Sequence, residues 1–487
     1  MAAPITAVIV GGGLGGLTAA RCLQRAGARV KLFEALPSWE DRLMRDRGLG
    51  MWREAQRVLA YIGLRRRFEE IALKIPPASY RSKEGTWLLQ AQRDETGEKV
   101  LSCRQSDLLT LLRDDSLHPS LPPLEISFGK RVISCEGQGE AGYEVDPKMQ
   151  IEFSDGTMTE GDFVVGADGV SSLVRQATAP GTRRGFLYYT GFRSFGGIIE
   201  DMEGAGEEPY ETVSDENRFA VIPLRYKAGG SGGKSIEGKR KALFWFATLR
   251  DDAADGFLGP GRAMQEWGPP TDAPVLESLH STFGSFHDPI PKILEETERR
   301  QLPLLMDHHM QDKRVLFNIG RVAFVGDAAH AFPPNLAQAG SVAIEDAWEL
   351  SVALTPYLRG LIPRIPAKTR LETKFKKKIR EPTSITNLVD IYGTRRTQRV
   401  TGHHTVTDAV AQLTGLSDSL RSGILSVTPL SWKQQLFDYF LQKSFGGPKC
   451  RVSIPPEGMQ AVRIAAEEEE EAKRQIQAQG VRPHRPS

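Results

Sequence analysis

Three glycines near the N-terminus are spaced to hold a phosphate group through the backbone. Gly11, Gly13 and Gly16 form a GxGxxG pattern, which follows the apolar run 7–10 and precedes the helical pattern 17–26. Gly11 allows a tight turn, Gly13 lets the chain approach a pyrophosphate, and Gly16 lets helix and strand pack closely. The unpaired N–H groups and the positive dipole end of such a helix favour an anion there.

An acidic residue follows the second predicted strand. Glu34 comes directly after the strand pattern 29–33, where a carboxylate is expected to accept hydrogen bonds from both hydroxyls of an adenosine ribose. A carboxylate in this place also disfavours a 2′-phosphate. The first 34 residues therefore predict dinucleotide binding, with FAD and NAD as open alternatives.

Two further glycine turns lie later in the chain, each at the end of an apolar strand pattern. Asp168 follows the run 163–166, and Asp327 follows the run 322–325. Because open α/β sheets bind ligands at the carboxyl ends of their strands, Asp327 is placed to accept hydrogen bonds from ligand hydroxyls. A long helix is predicted to begin near Gln338 and Ser341, with its N–H groups and dipole available to stabilise negative charge.

The three motifs, in this order, resemble those of the single-component FAD-dependent monooxygenases of the para-hydroxybenzoate hydroxylase type, which include zeaxanthin epoxidase and salicylate hydroxylase. The resemblance covers about residues 5–400. It implies that the first motif binds the ADP half of FAD, that the Asp168 motif serves FAD and NAD(P)H, and that the Asp327 motif binds the ribitol and isoalloxazine. Arg104 matches an arginine that family members place before a helix to contact FAD; a solvated arginine at a helix start is the alternative.

The resemblance also implies flavin contacts in the segment after Asp327. The backbone at Pro333 and Pro334 would position the flavin, and no catalytic acid or base is assigned. Family members usually have glycine at two positions where this chain has alanine. An alanine at position 339 tolerates a positive φ less well, so we expect a shifted helix start and weaker FAD binding. The cofactor-binding residues implied at this helix start are Ala337, Gln338, Ala339 and Gly340.

Four other polar side chains have no assigned contact with the cofactor. Relatives often carry an arginine where this chain has Gly196; Arg193 is the nearest alternative, but on a strand it shares a face with Phe195 and not with Ser194. An arginine that anchors an acidic substrate is therefore not assured. His330 lies within the Asp327 motif and is expected to pack or hydrogen-bond locally. The segment around Tyr392 and Arg396 is expected to have a structural role.

The order of elements predicts an α/β protein: a Rossmann-like FAD-binding domain, an inserted, mostly antiparallel β-sheet substrate domain, and a helical C-terminal region. Only one GxGxxG pattern lies at a strand–helix junction, which argues against a separate nicotinamide domain and predicts transient NAD(P)H binding. The expected divisions are 1–75, 100–180 and 300–360 for the FAD-binding domain, 76–99 and 181–299 for the substrate domain, 361–460 for the helical region and 461–487 for a charged, disordered tail.

Composition argues against several other classes of protein. Lys plus Arg total 63 and Asp plus Glu total 61, so no overall field favours nucleic acid. The four cysteines form no CxxC pair, so neither a metal site nor a disulfide framework is indicated. Without a signal-peptide pattern or a run of about 18 apolar residues, we expect a cytoplasmic protein with no transmembrane segment. The basic segment 364–380 predicts a solvated helix face, with peripheral membrane contact as the alternative.

Together the motifs predict an FAD-dependent monooxygenase that takes electrons from NAD(P)H and inserts one atom of O2 into a small, largely apolar organic substrate. The resemblance implies hydroxylation or epoxidation of an aromatic or isoprenoid-like molecule through a flavin C4a-hydroperoxide. A flavin-dependent reductase or dehydrogenase of the geranylgeranyl reductase type stays open as an alternative, as does a noncatalytic FAD-binding interaction protein. The sequence does not predict the substrate or the oligomeric state.

Overall fold

The structure is a computed structural model of the 487-residue chain. It describes residues 4–76, 79–89, 100–137, 148–179, 187–202, 208–215, 217–227, 239–250, 265–268, 273–312, 314–331, 337–361 and 384–414.

The helices are α1 (Leu14–Ala26), α2 (Trp39–Met44), α3 (Arg53–Tyr61), α4 (Arg65–Ile71), α5 (Gln105–Arg113), α6 (Leu173–Thr178), α7 (Ala273–Phe283), α8 (Ile290–Arg299), α9 (Ala339–Leu358) and α10 (Ile385–Thr414). The strands are β1 (Thr6–Val10), β2 (Arg29–Phe33), β3 (Gly48–Met51), β4 (Leu73–Ile75), β5 (Ser79–Ser82), β6 (Trp87–Leu89), β7 (Val100–Arg104), β8 (Ile126–Ser127), β9 (Val132–Gly137), β10 (Met149–Phe153), β11 (Met158–Gly161), β12 (Phe163–Gly166), β13 (Leu187–Glu200), β14 (Tyr210–Ser214), β15 (Asn217–Lys227), β16 (Lys239–Arg250), β17 (Gln265–Gly268), β18 (Leu304–Asp312), β19 (Asn318–Ile319) and β20 (Val322–Phe324).

A six-stranded sheet in the order β19-β20-β12-β1-β2-β8 brings the three glycine motifs together. β1 is parallel to β2 and β12, and β12 is parallel to β20. Val10 is aligned with Gly166, and Gly166 is aligned with Phe324. The turns that follow these strands therefore lie side by side at one edge, where parallel sheets bind their ligands.

An eight-stranded sheet in the order β17-β18-β13-β16-β15-β14-β5-β6 forms the second layer. Its strand pairs are antiparallel except for β14 with β5. One face is covered by α7 and α8, through a core that includes Phe219, Trp245 and Phe283. The predicted fold class, a Rossmann-like FAD-binding fold with an inserted, mostly antiparallel sheet and a C-terminal helix, is confirmed; the predicted domain bounds stay a prediction.

The opposite face of this second sheet packs against the three-stranded sheet of β3, β7 and β4. Phe244 and Ile222 contact Trp52, Ile75 and Val100 in a buried apolar cluster. The close approach leaves no room at the start of β3, because a Cβ on the first residue of that strand would lie 2.6 Å from the Cβ of Phe244. The eight-stranded sheet and the FAD-binding layer are thus in direct contact.

The last two described helices close the first layer. α9 packs on α1, and α10 lies along α9. The Tyr392 hydroxyl on α10 donates a hydrogen bond of 2.7 Å to the carbonyl of Phe324, the last residue of β20. Among the helices that the structure describes, none has the length and apolar character needed to cross a membrane.

Candidate functional site

The first glycine turn has two positions that only glycine fits and one that opens onto free space. Gly11 has a φ of +107°, and a Cβ there would lie 2.3 Å from the carbonyl oxygen of Ala167. A Cβ on Gly16 would lie 1.8 Å from the carbonyl oxygen of Gly11. Gly13, which precedes α1, has no heavy atom within 4 Å of such a Cβ. The helix start has no side-chain cap, so its N–H groups and this space fit a pyrophosphate.

The Glu34 carboxylate lies buried beside this turn. It accepts hydrogen bonds from the backbone N–H groups of Gly12, at 2.7 Å, and Leu36, at 2.9 Å. The Arg42 guanidinium donates to it at 2.5 Å. These contacts fix the carboxylate, and Oε1, which accepts only from Leu36 among the described residues, has room for a further donor such as a ribose hydroxyl.

Asp168 lies next to the first turn and caps the start of α6. Its Oδ2 accepts hydrogen bonds from the N–H groups of Leu173, at 2.7 Å, and Val174, at 3.1 Å. Burial raises the pKa of Asp168, although hydrogen bonds from the residues around the helix start oppose that effect. Its other oxygen, Oδ1, is buried and accepts no hydrogen bond from the described residues, which fits a site for a ligand donor.

Asp327 lies in a short 3-10 turn directly after β20. Burial and the neighbouring carboxylates of Asp312 and Asp346 raise the pKa of Asp327, and interactions with His330 and Arg47 oppose that rise. Within the described ranges, no residue donates a hydrogen bond to the Asp327 carboxylate, so it remains available to a hydroxylated ligand.

A buried network of charges holds this turn from the side of α9 and α10. Asp346 on α9 accepts hydrogen bonds from the Gly326 N–H at 2.8 Å, from His330 Nε2 at 2.7 Å and from Arg396 Nε at 2.7 Å. Burial alone would raise the pKa of Asp346, but the charge of Arg396 and the hydrogen bond with His330 lower it overall. His330 is fully buried in this network, as expected for a residue that hydrogen-bonds locally.

A second buried ion pair holds the turn from the side of α6. Arg175 Nη1 lies 3.1 Å from Asp312 Oδ2 and donates at 3.2 Å to the carbonyl of Ala328. The same Asp312 oxygen accepts from the N–H of Ala331 at 3.0 Å. The Asp168 and Asp327 motifs are thereby joined through side chains. Sequence reasoning expected local roles for His330 and the segment around Arg396, but it missed Asp346, Arg175 and Asp312.

The start of α9 differs from the expectation drawn from its alanines. The positive φ, 49°, belongs to Ala337, whereas Ala339 is already the first residue of the helix. A positive φ at position 339 is therefore wrong, whereas the weaker FAD binding stays a prediction. Gly340 packs closely on α1 and β3, since a Cβ there would lie 3.1 Å from Leu14 and 3.2 Å from Met51.

Arg104 ends β7 and connects the two layers through ion pairs. Its Nε lies 2.8 Å from Asp46 Oδ2, and its Nη1 lies 2.6 Å from Oε1 of Glu200 on the antiparallel sheet. Burial opposes the charge, but the two carboxylates outweigh it and raise the pKa of Arg104. Its proposed contact with FAD stays a prediction. Pro333, Pro334 and the basic and acidic C-terminal segments lie outside the described residues.

The antiparallel sheet resolves the position of Arg193 and adds two residues that sequence reasoning missed. The Arg193 guanidinium lies 5.9 Å from the ring centre of Phe195, which belongs to the core facing α7 and α8. On the other face, Glu211 and Arg218 form a buried ion pair at 3.3 Å. The available signal was Glu211 as the one charged residue of β14, and Arg218 directly before the apolar run 219–224 of β15. No group of metal-ligating side chains occurs in the part of the chain that the structure describes.

A sequence model of a protein family described as FAD binding domain matches residues 5–239 and 297–364. The chain belongs to this FAD-binding family. FAD is therefore its cofactor, and the resemblance to the single-component FAD-dependent hydroxylases is confirmed.

Several known proteins are similar to this chain over most of their length. Aurachin C monooxygenase/isomerase of Stigmatella aurantiaca is 28% identical over 72% of this chain and 81% of its own. 6-Hydroxynicotinate 3-monooxygenase of Bordetella bronchiseptica is 25% identical over 70% and 80%. The crystal structure of Klebsiella pneumoniae HpxO with FAD and uric acid has the same fold, with a TM-score of 0.64 at 20% identity over 90% of this chain and 97% of that one. The expectation of an FAD-dependent enzyme of the monooxygenase type is confirmed.

Proposed function

We propose that this protein uses NAD(P)H and O2 to hydroxylate a small aromatic substrate that binds between FAD and the antiparallel sheet. The supporting observation is that the start of α9 and one face of that sheet meet around β3. A Cβ on Gly50 would lie 3.4 Å from the Cβ of Ala337. Two residues further along, Trp52 packs on Phe244 and Ile222 of the sheet. A substrate on this face lies next to the flavin end of the site.

In this proposal FAD extends across the carboxyl ends of β1, β12 and β20. The backbone of Gly11, Gly13 and Gly16 holds the pyrophosphate, and Glu34 accepts hydrogen bonds from the adenosine ribose. Toward the flavin, the carboxylates of Asp168 and Asp327 accept hydrogen bonds from FAD. The other proposed cofactor contacts are Arg104, Asp168, Asp327, Ala337, Gln338, Ala339 and Gly340, with Pro333 and Pro334 as positioning residues.

Bound FAD supplies the electron transfer from NAD(P)H to O2. The chain itself binds, orients and shields the reactants. The N–H groups and the dipole at the start of α9 favour negative charge on the ring. The apolar side chains of Ile198, Phe244 and Phe246, on the sheet face that packs on Trp52, exclude water from the reacting atoms. No side chain is assigned as acid or base.

The relatives favour hydroxylation of an aromatic ring over epoxidation of an isoprenoid. The Bordetella enzyme is named for 6-hydroxynicotinate, and the Klebsiella structure contains uric acid; both molecules are oxygenated nitrogen heterocycles. A cytoplasmic location and a transient visit by NAD(P)H stay predictions.

The test is a panel of aromatic compounds added to the purified holoprotein with NADH or NADPH. We expect a yellow protein that releases FAD and not FMN, faster NAD(P)H oxidation when a substrate is added, and label from 18O2 in the product. Turnover under strict anaerobiosis without label would identify the reductase alternative. Bound FAD with no NAD(P)H oxidation across the panel would identify a noncatalytic binding protein.

A further inference from the structure

The antiparallel sheet carries two opposite charges on the face that packs against Trp52. Glu211 in β14 is aligned with Ala220 in β15, and Arg218 precedes Ala220 by two residues. Because residues two apart on a strand share a face, Glu211 and Arg218 are diagonal neighbours on one side of the sheet. Ala220 is aligned with Phe246 in β16, which packs with the apolar cluster around Trp52. The pair therefore faces the FAD-binding layer and not α7 and α8.

The Glu211 carboxylate is buried without full hydrogen bonding. The side chains of Glu211 and Arg218 are 6% and 7% exposed, and Oε1 lies 3.3 Å from Arg218 Nη1. The geometry is that of an ion pair and not of a hydrogen bond, and no described residue donates a hydrogen bond to Oε1. Burial raises the pKa of Glu211, and the charge of Arg218 opposes that rise. A buried acceptor without a donor is destabilising, and such groups often mark ligand sites.

The neighbouring residues of the same face make a polar row beside an apolar one. Arg218 is aligned with Thr248, which is aligned with Ser194, and the two hydroxyls are 2.8 Å apart. The apolar row of Ile222 and Phe244 lies further along the same strands. A ring that packs on the apolar row would therefore turn its polar edge toward Glu211 and Arg218.

We propose that Glu211 and Arg218 bind the lactam edge of an uncharged nitrogen-heteroaromatic substrate, that is, a ring N–H next to a C=O. Glu211 accepts the hydrogen bond from the ring N–H, and Arg218 donates to the carbonyl oxygen. Because the two charges compensate each other, a substrate carboxylate meets repulsion from Glu211 that offsets its attraction to Arg218. This inference rests on the proposed function, since it assigns the substrate class of the same site.

The test measures ligand binding to the oxidised holoprotein through the flavin absorbance, without NAD(P)H. Three probes of similar size are compared: 2-quinolinone, which has the lactam edge, N-methyl-2-quinolinone, which lacks the donor, and quinoline-2-carboxylate. We expect 2-quinolinone to bind at least about tenfold more tightly than either of the others, as the loss of one buried hydrogen bond predicts. Equal or tighter binding of the carboxylate by the wild-type protein would overturn the inference.

Two variants test the pair itself. Glu211→Gln leaves the Arg218 charge uncompensated, so binding of 2-quinolinone should weaken about tenfold while binding of quinoline-2-carboxylate strengthens about tenfold. Arg218→Gln should weaken binding of both probes. Equal changes for both probes in Glu211→Gln would indicate a purely structural pair and contradict the proposal. Thr212→Ser, on the opposite face of β14 and hydrogen-bonded to His287, is the matched control and should keep wild-type preferences.

Because these titrations need no turnover, their outcome does not depend on whether the proposed activity is correct. A protein that discriminates the three probes as expected but never consumes NAD(P)H keeps the binding site and loses the monooxygenase assignment. A protein that hydroxylates aromatic acids and binds quinoline-2-carboxylate most tightly keeps the activity and loses the lactam site.

Discussion

The two ends of the candidate FAD site are built in different ways. The glycine turn after β1 is formed by the backbone of a short, continuous segment, in which Gly16 packs directly on Gly11. The turn at Asp327 is held by buried side chains that come from distant segments, among them Asp346 and Arg396. The first end depends on the absence of side chains, and the second depends on charges that only the folded chain brings together. Substitutions at the two ends should therefore fail in different ways.

The largest effect is expected for Gly16→Ala. The new Cβ would lie 1.8 Å from the Gly11 carbonyl oxygen, so the strand, the turn or α1 must move. Overpacking against rigid backbone should lower the free energy of unfolding by more than about 3 kcal/mol. Urea denaturation of the FAD-free protein measures this. An unchanged midpoint would mean that the close contact between the turn and α1 is incorrect.

A smaller loss is expected for Asp346→Asn at the other end. Removal of one partner from a buried network leaves Arg396 less compensated, and the cost should be about 3 kcal/mol. The Asp327 turn should also lose its anchor at Gly326, so FAD binding should weaken. Denaturation and FAD titration measure the two effects. Asp390→Asn, in an exposed pair with Asn318 on the surface of α10, is the control and should change neither by much.

The same network predicts a pH dependence that the variant should lack. The folded-state pKa of Asp346 is below its ordinary value of 3.8, so the unfolded chain takes up this proton first as the pH falls. The stabilisation from Asp346 is present above pH 3.8 and is lost as the pH falls through the lower, folded-state pKa. A stability difference between wild type and Asp346→Asn that grows in acid would contradict this sign.

The smallest effect on folding, and the sharpest contrast with Gly16, is expected for Gly13→Ala. No heavy atom lies within 4 Å of a Cβ there, so the free energy of unfolding without FAD should change by less than about 0.5 kcal/mol. The added methyl group would instead meet the pyrophosphate, and FAD affinity should fall at least about tenfold. Wild-type FAD affinity together with wild-type stability would place the pyrophosphate elsewhere.

Much of the fold and of the nucleotide end was predictable because both depend on local patterns. The run of β-branched residues before Gly11 predicts a strand, the glycine spacing predicts the turn, and Glu34 follows the next strand within the same unit. The substrate end of the site was harder to predict from the sequence. Glu211 and Arg218 lie in different strands, and only the strand register places them on one face. Arg193 was ambiguous for the same reason until its packing on Phe195 was known.

The sequence by itself determined that a dinucleotide binds, the order of the motifs and the chemistry available at each turn, because backbone conformation and hydrogen-bonding capacity follow from residue type and spacing. The choice of FAD over NAD came from the family resemblance. The tertiary structure decided which side chains meet across distant segments: Asp346 with Arg396 and His330, Arg104 with Glu200, and Glu211 with Arg218. It also showed that the positive φ occurs at Ala337 and not at Ala339. These contacts depend on burial and register, which arise only when whole layers pack together.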